Sequence, residues 1–247
     1  RERIKFRLHF AFSYKIFAVL GAVLIFAGFI YFFPSLFPKA FPGAQKPPAT
    51  PPTGTSVAFF STESVTPLTV QLDSVPFFTE IKSVVKASDR QKTIRKIIIQ
   101  FIQTPKIPAR VANVNDFFNL YRITTPSQFL ERLYPDFMPF VFYGKTGGRF
   151  GFIVHTKDPA RTLRDVISWE KSLARDFDPF LFGAPVTQTP PSFEDKTYRN
   201  IDWRFLNLSK DQDLGIAYTL FPSKDYLIFT TSKEAMETVI DRIFSGK

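Results

Sequence analysis

The chain of 247 residues contains no cysteine, and it has only two histidines, two methionines and two tryptophans. The absence of cysteine excludes disulfide bonds, thiolate metal sites and cysteine nucleophiles. His9 lies in a basic N-terminal arm, so a serine–histidine–carboxylate triad would have to use His155, and no G-x-S-x-G motif accompanies it. We therefore interpret His155 as a structural residue, and we expect no metal and no cofactor.

Charge is absent from residues 16–33, which read IFAVLGAVLIFAGFIYFF. As an α-helix this run would be about 27 Å long, close to the hydrocarbon thickness of a bilayer. A buried core helix usually carries a polar stripe, which this run lacks. The sequence therefore predicts one N-terminal transmembrane helix with apolar residues along its whole length, among them Ile16, Leu20, Leu24, Phe29 and Phe33.

Basic residues are concentrated on one side of this run. Residues 1–15 hold five Lys or Arg, whereas residues 34–53 hold only Lys39 and Lys46. The positive-inside rule then predicts that residues 1–15 are a cytoplasmic arm and that residues 34–247 lie outside. Bulky residues rather than a small-residue cleavage site follow the run, so we expect an uncleaved anchor in the plasma (inner) membrane. The lipid bilayer is therefore a predicted partner.

The net charge of +10 divides unevenly along the chain. Residues 1–53 carry +6, and the residues after them carry +4. More than half of the basic excess thus belongs to the arm and the linker, which suits the anionic cytoplasmic leaflet. For this reason we do not interpret the high pI as a sign of nucleic-acid binding.

Proline is concentrated in residues 34–53, which hold seven prolines among twenty residues. Because proline lacks a backbone N–H and fixes φ, this segment is predicted to form neither helix nor sheet. Polyproline II rises about 3.1 Å per residue, so the segment would span up to roughly 60 Å. We interpret it as a semi-rigid stalk rather than an indifferent linker, and we expect an extracytoplasmic folded domain in residues 54–247.

Strand-like and helix-like patterns alternate in residues 54–247. Strands are predicted at 55–61, 93–103, 139–143, 149–156, 203–208, 214–221 and 226–231. Helices are predicted at 76–87, 115–122, 126–133, 159–177 and 232–243, the last one after a capping box of Thr231 and Glu234. Antiparallel hairpins with helices packed on one face of the sheet predict an α+β domain.

Two segments of this domain share one pattern. Residues 152–167 read FIVHTKDPARTLRDVI and residues 227–243 read LIFTTSKEAMETVIDRI. In each, the second strand of a hairpin leads through threonine and a charged turn into an amphipathic helix. We interpret them as two ββα units, related either by duplication or by convergent patterning.

Acidic pairs are the only candidates for catalysis that we find. Asp176 with Asp178, or Glu194 with Asp195, would serve glycoside hydrolysis if two carboxylates met about 5 to 10 Å apart in a cleft. The sequence cannot place them in a cleft, and we interpret them as acids of surface loops.

Phenylalanine is unusually frequent, at 31 of 247 residues. Neighbouring residues of a strand point to opposite faces, so Phe59 and Phe60 of a strand could not both fill one core. We interpret most of the phenylalanines as core residues. An exposed minority would dock a partner protein or a glycan, and the adjacent pairs supply the candidates Phe59, Phe60, Phe117 and Phe118.

Residues 198–244, YRNIDWRFLNLS…LGIAYTLFPSKDYLIFTTSKEAMETVIDRIF, resemble repeats in bacterial envelope proteins of unknown function. In those repeats an "ID" strand, a hairpin and a "TS…A…VID" helix recur. The layout of short arm, single span and outer α+β domain is also similar to the inner-membrane alignment proteins of type IV pilus machines. Those proteins follow the span with a coiled coil, where this chain has prolines. The resemblance implies an envelope location and no known activity.

These patterns favour a non-catalytic, single-pass, signal-anchored extracytoplasmic domain that binds or scaffolds another envelope protein. The alternative is a carboxylate-based cell-wall glycan hydrolase or a glycan-binding module. A cleft with two close acids, one of them with a raised pKa, would favour the hydrolase. An exposed apolar patch or a free sheet edge would favour the binding domain.

Overall fold

A computed structural model describes residues 56–71, 77–102, 109–187, 192–209 and 211–246. They belong to one compact unit that spans Thr50–Lys247. The predicted span, with Ile16, Leu20, Leu24, Phe29 and Phe33, and the predicted stalk lie outside the described residues. Among the described residues, no helix is both long enough and apolar enough to cross a membrane.

Nine strands and four α-helices form the described part of the chain. The strands are β1 (Ser64–Gln71), β2 (Thr93–Ile102), β3 (Arg110–Val111), β4 (Leu133–Gly144), β5 (Gly147–Thr156), β6 (Glu194–Tyr198), β7 (Ile201–Ser209), β8 (Leu214–Phe221) and β9 (Tyr226–Thr230). The helices are α1 (Phe77–Lys86), α2 (Val114–Leu120), α3 (Pro159–Asp176) and α4 (Lys233–Ser245). The α+β class predicted from the sequence is confirmed.

All nine strands belong to one mixed sheet. Its order is β1-β2-β4-β5-β9-β8-β7-β6, and β3 pairs with β2. β1 runs parallel to β2, with Val65 opposite Lys96, and the other pairs are antiparallel. The prediction of a purely antiparallel sheet was therefore wrong at this edge. A parallel pair needs a crossover connection, and α1 supplies it between β1 and β2.

Helices cover both faces of the sheet, which corrects the prediction of helices on one face. Side chains alternate along each strand, so Val141 and Phe142 of β4 belong to two different cores. We call the face with Val141 face A and the face with Phe142 face B. Face A is covered by α1, α2 and α3, whereas face B is covered by α4 and by residues around Phe60.

Both predicted hairpin–helix units are present, as β4–β5–α3 and β8–β9–α4. Their inner strands pair antiparallel, with Phe152 of β5 opposite Phe229 of β9. One hairpin is superimposed on the other by a half-turn about an axis perpendicular to the sheet, and this rotation does not exchange face A and face B. α3 nevertheless packs on face A and α4 on face B. The two units therefore differ in hand, which favours convergent patterning over duplication.

Some predicted boundaries were wrong for local reasons. The strand predicted at 55–61 does not form, because residues 59–60 bend and β1 begins at Ser64. The helix predicted at 126–133 is reduced to the 3₁₀ turn Leu130–Arg132, because β4 begins at Leu133. The last helix is capped one residue later than predicted, by Ser232, whose hydroxyl accepts a hydrogen bond from the backbone N–H of Ala235.

The core under face A is built largely from aromatic rings around Phe117 of α2. Its ring centroid lies 4.9 to 5.9 Å from the centroids of Phe118, Tyr121, Phe137, Phe150, Phe152 and Phe180. The ring of Phe180 is parallel to it, with 1° between the planes. The high phenylalanine content thus reflects a core in which rings from α2, β4, β5 and the turn after α3 interlock.

Candidate interaction surfaces

Three of the four predicted partner-contact aromatics lie in the core. Phe60 is 6% exposed, Phe117 is fully buried and Phe118 is 1% exposed. Phe117 and Phe118 are both buried because adjacent helix residues lie only about 100° apart, so one broad face of α2 holds them both. Phe59 alone of the four is half-buried and reaches the surface.

Phe59 belongs to an aromatic cluster at the surface of face B. Its ring contacts His155 and Tyr226 at centroid distances of 5.5 and 5.0 Å, and His155 lies 4.6 Å from Tyr226. The rings of Phe59 stand at 79° and 81° to these neighbours. Edge-to-face packing of this kind holds residues 59–60 on β5 and β9, and it offers no flat platform on which a sugar ring could stack.

Glu170 of α3 is bound by two neighbouring strands. Both of its oxygens accept hydrogen bonds from the Arg204 guanidinium of β7, at 2.9 Å for Nη2, and the hydroxyl of Tyr218 in β8 also donates to it. Burial and the nearby Glu170 charge raise the pKa of Tyr218 well above its usual value. The hydrogen bond to Glu170 likewise raises the pKa of Arg204. The phenol therefore stays neutral and the arginine charged, which makes the group a clamp between α3 and the sheet.

Asp176 at the end of α3 is bound within its own helix. It accepts hydrogen bonds of 2.8 Å from Trp169 Nε1 and from the hydroxyl of Ser172. Burial alone would raise the pKa of Asp176, but the hydrogen bonds from Trp169, Ser172 and Arg175 together lower it. Asp178, the other member of this predicted acid pair, begins the 3₁₀ turn Asp178–Leu181. Asp176 is thus an ionised structural group.

Substitution of Asp176 by asparagine should change how the free energy of unfolding depends on pH in the acid range. A folded-state pKa below the unfolded value of about 3.9 stabilises the protein above that pH, and the contribution disappears as the pH falls through the folded-state value. We expect D176N to lower the free energy of unfolding by about 1 to 2 kcal/mol at pH 7 and by much less at pH 2. Urea unfolding at both pH values measures the difference, and an equal loss at both would contradict this role.

The acids of α4 lie along the outside of a helix. Burial, then the charges of Asp213, Asp241 and Glu234, raise the pKa of Glu237, although Lys233 opposes them from 3.8 Å. Positions 234, 237 and 241 are partly buried and follow one stripe of α4. Within the described ranges, no cluster of three or more His, Asp or Glu side chains is arranged to hold a metal ion.

An uncharged surface lies on face B at the β1 end of the sheet. It consists of alternate residues of two strands, exposed on β1 and partly exposed on β2: Val65, Pro67, Thr69, Ile98, Gln100 and Ile102. We call these six residues the β1–β2 patch. Depletion of charge distinguishes the centre of a protein interface from ordinary surface. The patch therefore has the composition of a docking surface.

The patch borders a free strand edge. β1, with the sequence SVTPLTVQ, is the last strand on its side of the described sheet and carries no charge. The opposite edge strand β6 reads EDKTY, and three of its five residues are charged. Short charged edges resist pairing, whereas a long uncharged edge accepts a further strand. Pro67 lacks an N–H, so hydrogen bonds from an added strand would form on either side of it.

Lys96 fixes the chain beside this patch. It is only 6% exposed, and its Nζ donates a 3.1 Å hydrogen bond to the carbonyl oxygen of Ser56. Burial lowers the pKa of Lys96 below its usual value. The described chain thus starts on face B, held by a side chain that lies on the same face of β2 just before the patch residue Ile98.

No family model, no curated protein and no solved structure matches this chain. The function is therefore argued from the surfaces described above. The β1–β2 patch was missed by the sequence analysis, because the first strand was predicted at residues 55–61 instead of Ser64–Gln71. The signal that could have found it is the alternation of Leu68 and Val70, which are buried, with Val65, Pro67 and Thr69.

Proposed function

We propose that this chain is a membrane-tethered extracytoplasmic domain that binds another protein of the bacterial envelope without catalysis. The observation that carries the proposal is the β1–β2 patch, an uncharged surface next to a free, uncharged strand edge. An extended segment of a partner protein fits it best. Such a segment would cover the patch with its side chains and continue the sheet along β1 with its backbone.

The membrane tether would supply much of the selectivity. The uncharged run at 16–33 and the basic arm before it support an anchor with residues 34–247 outside. A partner in the same envelope then meets the domain at a high effective concentration, so a patch of modest area suffices for binding. The proposed role is thus to hold a partner in place at the membrane.

The glycan hydrolase remains the alternative, and the raised pKa of Glu237 is the observation that favours it. The binding role is better supported, because Asp176, Glu194 and Asp195 of the predicted acid pairs are engaged by neighbouring side chains, and Lys233 lies 3.8 Å from Glu237. A carboxylate that is hydrogen-bonded or ion-paired within the protein is poorly placed to protonate a substrate.

Site-specific photocrosslinking in living cells tests the proposed role. A photoreactive residue at Val65, which is 51% exposed, should form an adduct with one envelope protein. The same residue at Val186, which is 49% exposed and outside the patch, is the matched control and should give at least about tenfold less of that adduct.

Equal adducts at both positions, or adducts with cytoplasmic proteins alone, would overturn the protein-binding role. Extraction of the same membranes with alkaline carbonate checks the tether independently. We expect the full chain to stay with the membrane and a chain without residues 1–33 to be released.

A further inference from the structure

All the exposed charges on the outward face of α3 are positive. Its exposed charged residues are Arg161, Arg164, Lys171 and Arg175. With Ser168 they follow the spacing of one helix face, at intervals of three and four residues. We call these four basic residues, together with Ile167 and Ser168, the α3 stripe. The stripe is about 21 Å long, because a helix rises about 1.5 Å per residue.

The acids of α3 are each engaged by side chains outside this stripe. Asp165 is paired with Arg132 at 2.6 Å, and only 22% of its side chain is exposed. Glu170 is held by Arg204, and Asp176 by Trp169 within the helix.

At each end of the stripe, an arginine contacts an acidic side chain. Arg161 lies 3.3 Å from Asp158, and Arg175 lies 3.2 Å from Asp176. The side chains of these arginines are nevertheless 65% and 79% exposed, so both remain available to a ligand.

An aliphatic side chain interrupts the stripe near its middle. Ile167 is 47% exposed although α3 buries other aliphatic residues such as Val166 and Leu173 completely. Cations around an exposed aliphatic residue on a helix that lies flat on its domain match the interfacial zone of an anionic bilayer. There the charges meet headgroups, and the aliphatic chain reaches the acyl boundary.

We propose that the α3 stripe binds the anionic phospholipid headgroups of the bilayer to which the chain is tethered. The inference rests on the proposed function for the tether, which keeps the domain within about 60 Å of the bilayer, the greatest span of residues 34–53, so that a weak, multipoint attraction can act. The stripe belongs to face A, and the β1–β2 patch belongs to face B. Lipid binding by α3 would therefore leave the patch free for the partner protein.

The absence of cysteine allows a direct test with the full chain in lipid nanodiscs. A single cysteine is introduced at Ser168, in the stripe, or at Ser245, the matched control at the exposed end of α4, and carries a fluorophore. Lipids with a spin label in the headgroup then quench a fluorophore that lies close to them. We expect strong quenching at position 168 and little at 245, in discs of phosphatidylglycerol and phosphatidylcholine but not of phosphatidylcholine alone.

Charge reversal makes the test specific. R164E with K171E should reduce the quenching at position 168 about tenfold or more, and higher salt should reduce it too. K145E with K224E changes the net charge equally in two exposed turns and should leave it unchanged. If the chain enters nanodiscs but quenching is equal at positions 168 and 245, or the charge reversal has no effect, the lipid site is overturned and the tether is not. A chain that does not enter nanodiscs at all overturns the tether, and with it both proposals.

Discussion

Replacement of Glu170 by alanine is expected to lower the free energy of unfolding by about 3 kcal/mol. The carboxylate accepts hydrogen bonds from Arg204 and Tyr218, and only 15% of its side chain is exposed. Its removal leaves the buried hydroxyl of Tyr218 without its partner and leaves the guanidinium of Arg204 with only the exposed Asp195, and an unpaired buried group carries the full cost of desolvation. Urea unfolding followed by tryptophan fluorescence measures the loss.

Asp195 provides the matched control for Glu170. It pairs with the same arginine, but 88% of its side chain is exposed, so D195A should cost less than about 1 kcal/mol. A double-mutant cycle of E170Q and Y218F should also show coupling, since the two groups share one hydrogen bond. Equal losses in E170A and D195A would mean that Glu170 does not clamp α3 to the sheet.

Replacement of Phe117 by alanine is expected to cost about 4 kcal/mol, the largest loss that we predict for a single side chain. Its fully buried ring lies among the rings of Phe137, Phe150 and Phe180, which come from three different elements. Because these rings are fixed by other parts of the core, they cannot collapse into the cavity that the substitution leaves. Thermal and urea unfolding measure the effect.

Substitution of Phe59 tests whether this residue has a surface role rather than a core role. It was predicted together with Phe117 as a partner contact, but it is half-buried, its ring contacts the rings of His155 and Tyr226, and it packs on the outside of the face B core. We expect F59A to cost about 1 kcal/mol, well below the loss in F117A. If F59A lowers the free energy of unfolding as much as F117A, residues 59–60 are part of the core rather than a surface segment packed on face B.

Local patterns predicted the elements that depend on local contacts. The hairpin of β4 and β5 has its turn between Gly144 and Gly147, and α3 begins at Pro159 after the cap Asp158, as expected. In both places a few neighbouring residues decide the conformation through proline, glycine or a capping side chain. The strands predicted at 203–208, 214–221 and 226–231 likewise form, as β7, β8 and β9.

Contacts between residues that are distant in the sequence could not be predicted from local patterns. Nothing near β1 in the sequence says that it pairs in parallel with β2, because the pairing is made across α1. The choice of face A for α3 and face B for α4 is likewise absent from their sequences, since both helices are amphipathic in the same way. The burial of Phe117 and Phe118 depends in the same way on rings that are distant in the sequence. The pair was therefore predicted as a contact surface although other rings cover it.

Candidate surfaces were only partly predictable for a related reason. The basic residues of α3 could be recognised as solvent-facing from their spacing alone. That Asp165 and Glu170 of the same helix are paired elsewhere depends on Arg132 and Arg204, which come from a 3₁₀ turn and from β7. The β1–β2 patch depends on β1 being an edge, which is a property of the whole sheet and not of its sequence.

The strand order has a consequence for how this domain could be divided. β1 to β5 come from the first part of the described chain and β6 to β9 from the last, and the two blocks of strands pair with each other only where β5 lies beside β9. That seam runs from Gly151 to His155 on one side and from Tyr226 to Thr230 on the other. A break in the backbone between α3 and β6 would leave every strand with its neighbours on its own side of the seam. Two separately made halves should therefore reassemble along this one ladder and through the contacts of Glu170 in α3 with Arg204 and Tyr218, so the domain is a natural candidate for fragment complementation.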